Sequence, residues 1–183
     1  EVVHEFALQQ TCATGLTWDG EAIWIADYKT DMLSRLDPNT GEVMHSIPAP
    51  GFWPMGLAWD GNNLWNVDKR QGRIFQVDPK DGMILRYVDA PCSQPAGLTW
   101  DGETLWVSDA RSGEIMKIDL SDGTAVHPLP AVSGNSQALT FDGTYLWSAD
   151  RSADEIYMIE PETGDVLLIM DAPAPFTAGL AWD

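Results

Sequence analysis

Gly15-Leu16-Thr17-Trp18-Asp19-Gly20 returns as Gly56-Leu57-Ala58-Trp59-Asp60-Gly61, as Gly97-Leu98-Thr99-Trp100-Asp101-Gly102 and as Ala138-Leu139-Thr140-Phe141-Asp142-Gly143, each copy 41 residues after the last. A further start, Gly179-Leu180-Ala181-Trp182-Asp183, keeps the same interval. Consecutive periods without insertion or deletion mark one supersecondary unit copied along the chain. Positions that recur build the scaffold, and positions that differ between copies are free to specialise.

Each unit reads as four short strands. The first, Gly-Leu-Thr/Ala-Trp, runs into an Asp-Gly pair, a strong hairpin signal. The second carries Trp24, Trp65, Trp106 or Trp147 and ends at Asp27, Asp68, Asp109 or Asp150. The third closes on Asp37-Pro38-Asn39-Thr40-Gly41 and its copies, where Pro and Gly suit a tight turn before the fourth strand. Four antiparallel strands per period of about 40 residues predict an all-β chain, a β-propeller of four-stranded blades. The blades start at residues 15, 56, 97 and 138, a partial one starts at 179, and 1–14 is the tail of a preceding repeat. Residues 1–183 form a single domain on this reading. Leu16 and Trp18 alternate with Gly15 and Thr17, so bulk on one blade can nest into a gap on the next. Eight of the nine tryptophans occupy the two recurring positions and are read as core.

The phrases Gly56-Leu57-Ala58-Trp59-Asp60-Gly61, Leu64-Trp65-x-x-Asp68, Ile156-x-x-Ile159-Glu160-Pro161-x-Thr163-Gly164 and Pro48-Ala49-Pro50 resemble those of the NHL-like and virginiamycin B lyase-like propellers. The resemblance covers essentially the whole chain and implies the fold. Such blades serve lyases, lactonases, peptidyl cyclases and pure binding modules alike, so the fold does not choose an activity. For the lyases, the resemblance implies a histidine and acidic metal ligands near the channel, on the face of the inter-blade loops. For gluconolactonase-type propellers it implies a Glu/Asn/Asp cage. Here the acids of those loops are Asp89 and Asp171, and only Asn135 could serve as the amide of a cage. His4, His45 and His127 share one aligned position in the fourth strand, the outer edge of a blade, and read as surface residues.

The four full units leave a fifth blade with an inner and an outer strand but no middle pair. The resemblance suggests six blades in a longer chain; an alternative is that another copy covers the open faces.

A net charge of −18 argues against nucleic acid or an anionic membrane as a general partner. Acid richness with four lysines favours an extracellular or periplasmic setting. Cys12 and Cys92 do not make a disulfide framework. The charge is polarised. The Asp-Gly and Asp-Pro turns put acids from Asp19 and Glu21 to Glu160 and Asp165 on one face, with only Lys80 against them. The turns after the second strands gather Lys29, Lys69, Arg70, Arg111 and Arg151, either neutralising the recurring aspartates beside them or attracting an anion.

The variable column with most chemical character lies near the end of each inter-blade loop: Cys12, Trp53, Gln94, Asn135 and Phe176. Trp53, preceded by Phe52, is the one tryptophan outside the scaffold. Trp53 and Phe176 would stack on a flat or sugar-like ligand, and Gln94 and Asn135 would hydrogen-bond it. The alternative is that Trp53 packs down as a plug. The recurring aspartates fit side chains that cap their own turns better than a calcium site, which gathers six or more oxygens, and neither a metal nor another cofactor is expected. No catalytic nucleophile–base pair is visible.

The expected function is therefore non-enzymatic: a binding or interaction module whose inter-blade-loop face holds a small molecule, glycan or protein. One rival is a lyase or hydrolase of the virginiamycin B lyase or lactonase type, with catalytic residues in further blades. Another is a self-assembling repeat protein that forms homo-oligomers through exposed blade edges.

Overall fold

The computed structural model describes residues 2–8 and 12–183. Each complete repeat folds as one antiparallel sheet with its strands in sequence order. The first blade comprises β1 (Ala13–Trp18), β2 (Ile23–Asp27), β3 (Met32–Leu36) and β4 (Val43–Pro48). The second comprises β5 (Pro54–Trp59), β6 (Leu64–Asp68), β7 (Arg73–Val77) and β8 (Ile84–Asp89). The third comprises β9 (Pro95–Trp100), β10 (Leu105–Asp109), β11 (Ile115–Ile118) and β12 (Ala125–Leu129). The fourth comprises β13 (Ser136–Phe141), β14 (Leu146–Asp150), β15 (Glu155–Ile159) and β16 (Val166–Asp171). The result is a β-propeller of four complete blades.

The cores lie between blades. Trp24, Ala26, Leu33 and Ile47 of the first blade meet Leu57, Leu64, Phe75 and Val77 of the second. Neighbouring residues of one strand face opposite ways, so Trp65, Val67 and Ile74 join the next core with Leu98, Leu105 and Met116. Trp106, Ile115 and Leu129 pack against Leu139, Leu146 and Tyr157 in the third. Trp24, Trp65 and Trp106 are fully buried, each removing roughly 4 kcal/mol worth of apolar area from water. The other five tryptophans read as core are less buried: Trp18, Trp59, Trp100 and Trp147 are half-buried and Trp182 is exposed, with Trp59 and Trp100 packed at the edges of their cores.

The Asp-Gly turn does more than reverse the chain. Asp19 Oδ1 accepts the N–H groups of Glu21 and Ala22, and its Oδ2 accepts the indole N–H of Trp24 at 2.8 Å. Asp60, Asp101 and Asp142 hold Trp65, Trp106 and Trp147 in the same way. Arg35 pairs with Asp19 at 2.6 Å, and Lys117 with Asp101 at 3.0 Å. The acidic face therefore has more opposition than Lys80 alone, supplied by third-strand cations that reach down to the turns.

The histidines are inter-blade latches rather than idle surface groups. His45 Nε2 donates to the carbonyl of Lys80 in the next blade's turn, and His127 Nε2 to that of Glu162. Their rings meet Trp24 and Trp106 edge-on. Arg86 fills the equivalent place in the second blade, donating to the Leu120 carbonyl and lying over Trp65.

Both chain ends enter the ring. Gly179 lies against Leu16 and Gly15 as Gly15 lies against Gly56 and Gly56 against Gly97. Trp182 stacks on Trp147, with ring centroids 6.0 Å apart. At the other end, His4 donates to the Asn39 carbonyl and Phe6 covers Gly41. Residues 178–183 and 2–8 thus take the inner and outer strand positions of one blade between the fourth and the first.

Candidate ligand-binding face

The inter-blade loops and the turns after the second strands share one face, and the recurring aspartates join them. Asp109 Oδ1 accepts the N–H groups of Arg111 and Ser112 in its own turn, while Oδ2 accepts those of Ser93 and Gln94 in the loop before it. Asp27 spans Lys29 and Thr30 on one side and Cys12 on the other. Asp68 spans Gln71 and Trp53, and Asp150 spans Ser152, Ala153 and Asn135. These carboxylates cap their turns, as their spacing implies, and also pin the loop of the variable column. Among the described residues no three His, Cys, Asp or Glu side chains gather as a metal site.

A second variable column sits directly beside the first. The N–H groups of Tyr28, Lys69, Ala110 and Arg151 donate to the carbonyls of Cys12, Trp53, Gln94 and Asn135, at 2.9–3.4 Å. Each blade therefore presents a fixed pair of side chains on an invariant backbone clamp. Tyr28 was not singled out in the sequence, although its column, Tyr/Lys/Ala/Arg, varies as freely as the loop column.

The pairs form an aromatic and cationic surface. Trp53 stacks on Tyr28, ring centroids 5.9 Å apart, and Lys69 Nζ lies 5.9 Å from the Trp53 ring. Arg70 lies over Phe52 and Arg151 over Phe176. Phe52 and Phe176 are two-thirds exposed and Trp53 is 43% exposed, so Trp53 is not a plug sealed into the core. Phe176 holds φ at 64°, a left-handed backbone that a bulky side chain rarely adopts, with its N–H bonded to Asp154. Asn135 Nδ2 donates to Ser152, and its Oδ1 accepts from Gln137, so its amide is already engaged. Gln94 is half-buried.

Electrostatically, this face differs from the expectation that its cations neutralise the recurring aspartates. Those carboxylates spend both oxygens on backbone N–H groups. Among the described residues Lys29, Lys69, Arg70, Arg111 and Arg151 make no ion pair, and the pairs that form involve Arg35, Arg73 and Lys117. The Cys12 sulfur beside Tyr28 raises its phenol above the ordinary range, while the positive charge of Arg151 pulls the other way.

Both cysteines are free thiols. Cys92 is packed against the second core, and burial pushes its thiol up to about 12, which leaves it protonated and unreactive at neutral pH. The channel between the first strands is closed by packing around Gly15, Gly56, Gly97 and Gly179, so a ligand has the face available rather than the bore.

No protein-family model matches the sequence, and no curated protein matches it. Solved structures do. Glutaminyl cyclase of Myxococcus xanthus superposes with a TM-score of 0.78 at 17% identity, over 90% of this chain and 72% of that one. The likeness is to β-propellers. A catalytically inactive histidine-to-alanine variant of Staphylococcus aureus virginiamycin B lyase with quinupristin gives a TM-score of 0.61 at 19% identity, over 93% of this propeller and 60% of the lyase. Hydrazine synthase of Kuenenia stuttgartiensis gives 0.62 at 16% identity, over 92% and 52%. At these identities the fold is shared and nothing finer.

Proposed function

We propose that this propeller is a non-enzymatic binding module whose loop face takes a ligand with anionic groups and a flat ring face, as an acidic sugar has. The observation that carries the reading is the set of five cations that, among the described residues, make no ion pair, on a face whose aspartates direct both oxygens at backbone N–H groups. Three of those cations lie against exposed aromatic rings, so stacking and charge attraction act on the same small area. The local field is opposed by the chain's overall negative charge, which favours a compact anion over a long polyanion.

The virginiamycin B lyase variant lost activity with a histidine. Here His45 and His127 lie on the outer strands β4 and β12 and His4 on the segment before β1, and each bonds a turn of the adjoining blade, which supports binding over lyase chemistry. The test is titration with oligogalacturonate and with a neutral cello-oligosaccharide, read by tryptophan fluorescence at several salt concentrations. Binding of the acidic sugar alone, weakening as salt rises, is the expected result. Equal binding of both would remove the role of the cations. Metal-dependent turnover abolished by a chelator would replace this reading with the enzymatic one.

A further inference from the structure

We infer that the cavity between the first and second blades, on the face of the Asp-Gly and Asp-Pro turns, is a binding site for a small aromatic carboxylate. It measures about 550 Å³, inside the roughly 300–1,000 Å³ range of small-molecule sites. Both blades that bound it are complete four-stranded sheets. The site lies on the opposite face from the inter-blade loops and shares no residue with them.

Its lining joins flat apolar walls to a single uncommitted charge. Trp24 is fully buried at the base, Trp59 and Pro79 are half-buried, and His45 and Lys80 are exposed at the mouth. His45 Nε2 donates to the Lys80 carbonyl at 3.0 Å, which holds the two blades together across the opening. Asp19 accepts with both oxygens from backbone N–H groups, the Trp24 indole and Arg35, and Glu21 accepts from Arg35 as well. Lys80 makes no ion pair among the described residues and enters their hydrogen bonds only through its main chain. A ligand carboxylate has that ammonium as its partner, while its ring lies along Trp59 and Pro79. The charges of Asp19 and Glu21 nearby disfavour a second negative group on the ligand.

The other junctions of the same scaffold show what sets this one apart. Between the second and third blades Arg86 stands where the first has His45. Arg86 lies 4.8 Å from the Trp65 ring and donates to Gln76 and to the Leu120 carbonyl, and Ser121 stands in the place of Lys80. Between the third and fourth, Lys117 stands in the place of Arg35 and lies 5.6 Å from the Trp106 ring. There Glu162 takes the place of Lys80, and Phe141 that of Trp59. Among the described residues no cation lies over Trp24. The first junction therefore combines the larger aromatic wall, an uncovered tryptophan ring and a cation at the mouth.

The test titrates the 183-residue chain calorimetrically with 3-phenylpropionate, with phenethylamine, which carries the opposite charge on the same ring and linker, and with propionate, which lacks the ring. Phenylpropionate is expected to bind one to one, and both controls about tenfold more weakly or worse. Lys80→Ser should weaken phenylpropionate binding about tenfold or more and leave the melting temperature unchanged, because the side chain is exposed and unbonded. Lys80→Arg, which keeps the charge, should retain binding. Absence of phenylpropionate binding at millimolar concentration overturns the inference. Equal binding of phenethylamine removes the role of the cation, equal binding of propionate removes that of the walls, and undiminished binding by Lys80→Ser places the ligand elsewhere; each overturns it as well.

Discussion

One oxygen of Asp68 accepts the N–H of Trp53 at 2.7 Å, and the other accepts the N–H of Gln71 at the same distance. A single buried carboxylate therefore fixes the loop that presents the aromatic surface and the turn that presents Lys69 and Arg70. Among the described residues, Lys69 and Arg70 make no ion pair with it or with any other carboxylate. Removing the carboxylate leaves two N–H groups short of a partner, at roughly 1–3 kcal/mol each. Asp68→Ala is expected to lower stability by about 3 kcal/mol, measured by urea unfolding. A loss below about 1 kcal/mol would show that water or a neighbour replaces both bonds.

Trp53 is the side chain whose replacement should separate binding from folding. It stacks on Tyr28 and carries Lys69, but none of the interblade cores includes it. Trp53→Ala is expected to weaken oligogalacturonate binding at least tenfold while costing about 1 kcal/mol of stability, the scale of one exposed aromatic pair. Isothermal titration and thermal unfolding on the same sample check both halves. A collapse in melting temperature would make Trp53 a packing residue.

Acid should unfold this propeller through its turns. Burial works against the charge of Asp19, Asp60, Asp101 and Asp142, but hydrogen bonds from backbone N–H groups and from Trp24, Trp65, Trp106 and Trp147 outweigh it and hold their pKa values below the ordinary 3.8. A depressed folded-state pKa gives stability that is present above the unfolded-state value and lost as pH falls through the folded one. The urea midpoint should lose no contribution from these groups down to about pH 4, then drop steeply below it. A midpoint that holds down to pH 2.5 would mean that the turns do not need charged carboxylates.

Strand order and blade boundaries were legible in the sequence because each blade is local: its turns, Asp19-Gly20 and Asp37 to Gly41, lie within one period. The capping role of Asp27, Asp68, Asp109 and Asp150 was legible for the same reason. What stayed hidden depends on neighbours in space. That His45 bonds the Lys80 carbonyl, and that Arg35 neutralises Asp19, requires knowing how blades and strands face each other. Tyr28 was hidden by chemistry rather than distance, since it lies next to Asp27 but its aligned partners are Lys69, Ala110 and Arg151. The contact of Gly179 with Leu16 was hidden because it joins residues far apart along the chain.

The close backbone approach between neighbouring inner strands gives a sharp test of the ring. A Cβ added to Gly56 would stand 2.4 Å from the Ala96 carbonyl oxygen and from the Leu98 nitrogen, both main-chain atoms of the next inner strand. Neither can move without displacing the strand, so Gly56→Ala is expected to cost about 3 kcal/mol or more, the upper end for overpacking. Gly61, five residues on, has nothing within 4 Å of its Cβ position and pays only for its φ of +96°. Gly61→Ala should therefore cost about 1 kcal/mol. Urea unfolding of the two variants in parallel checks the ordering. Equal losses would mean that the inner strands are spaced more widely than the packing of Gly15, Gly56 and Gly97 indicates.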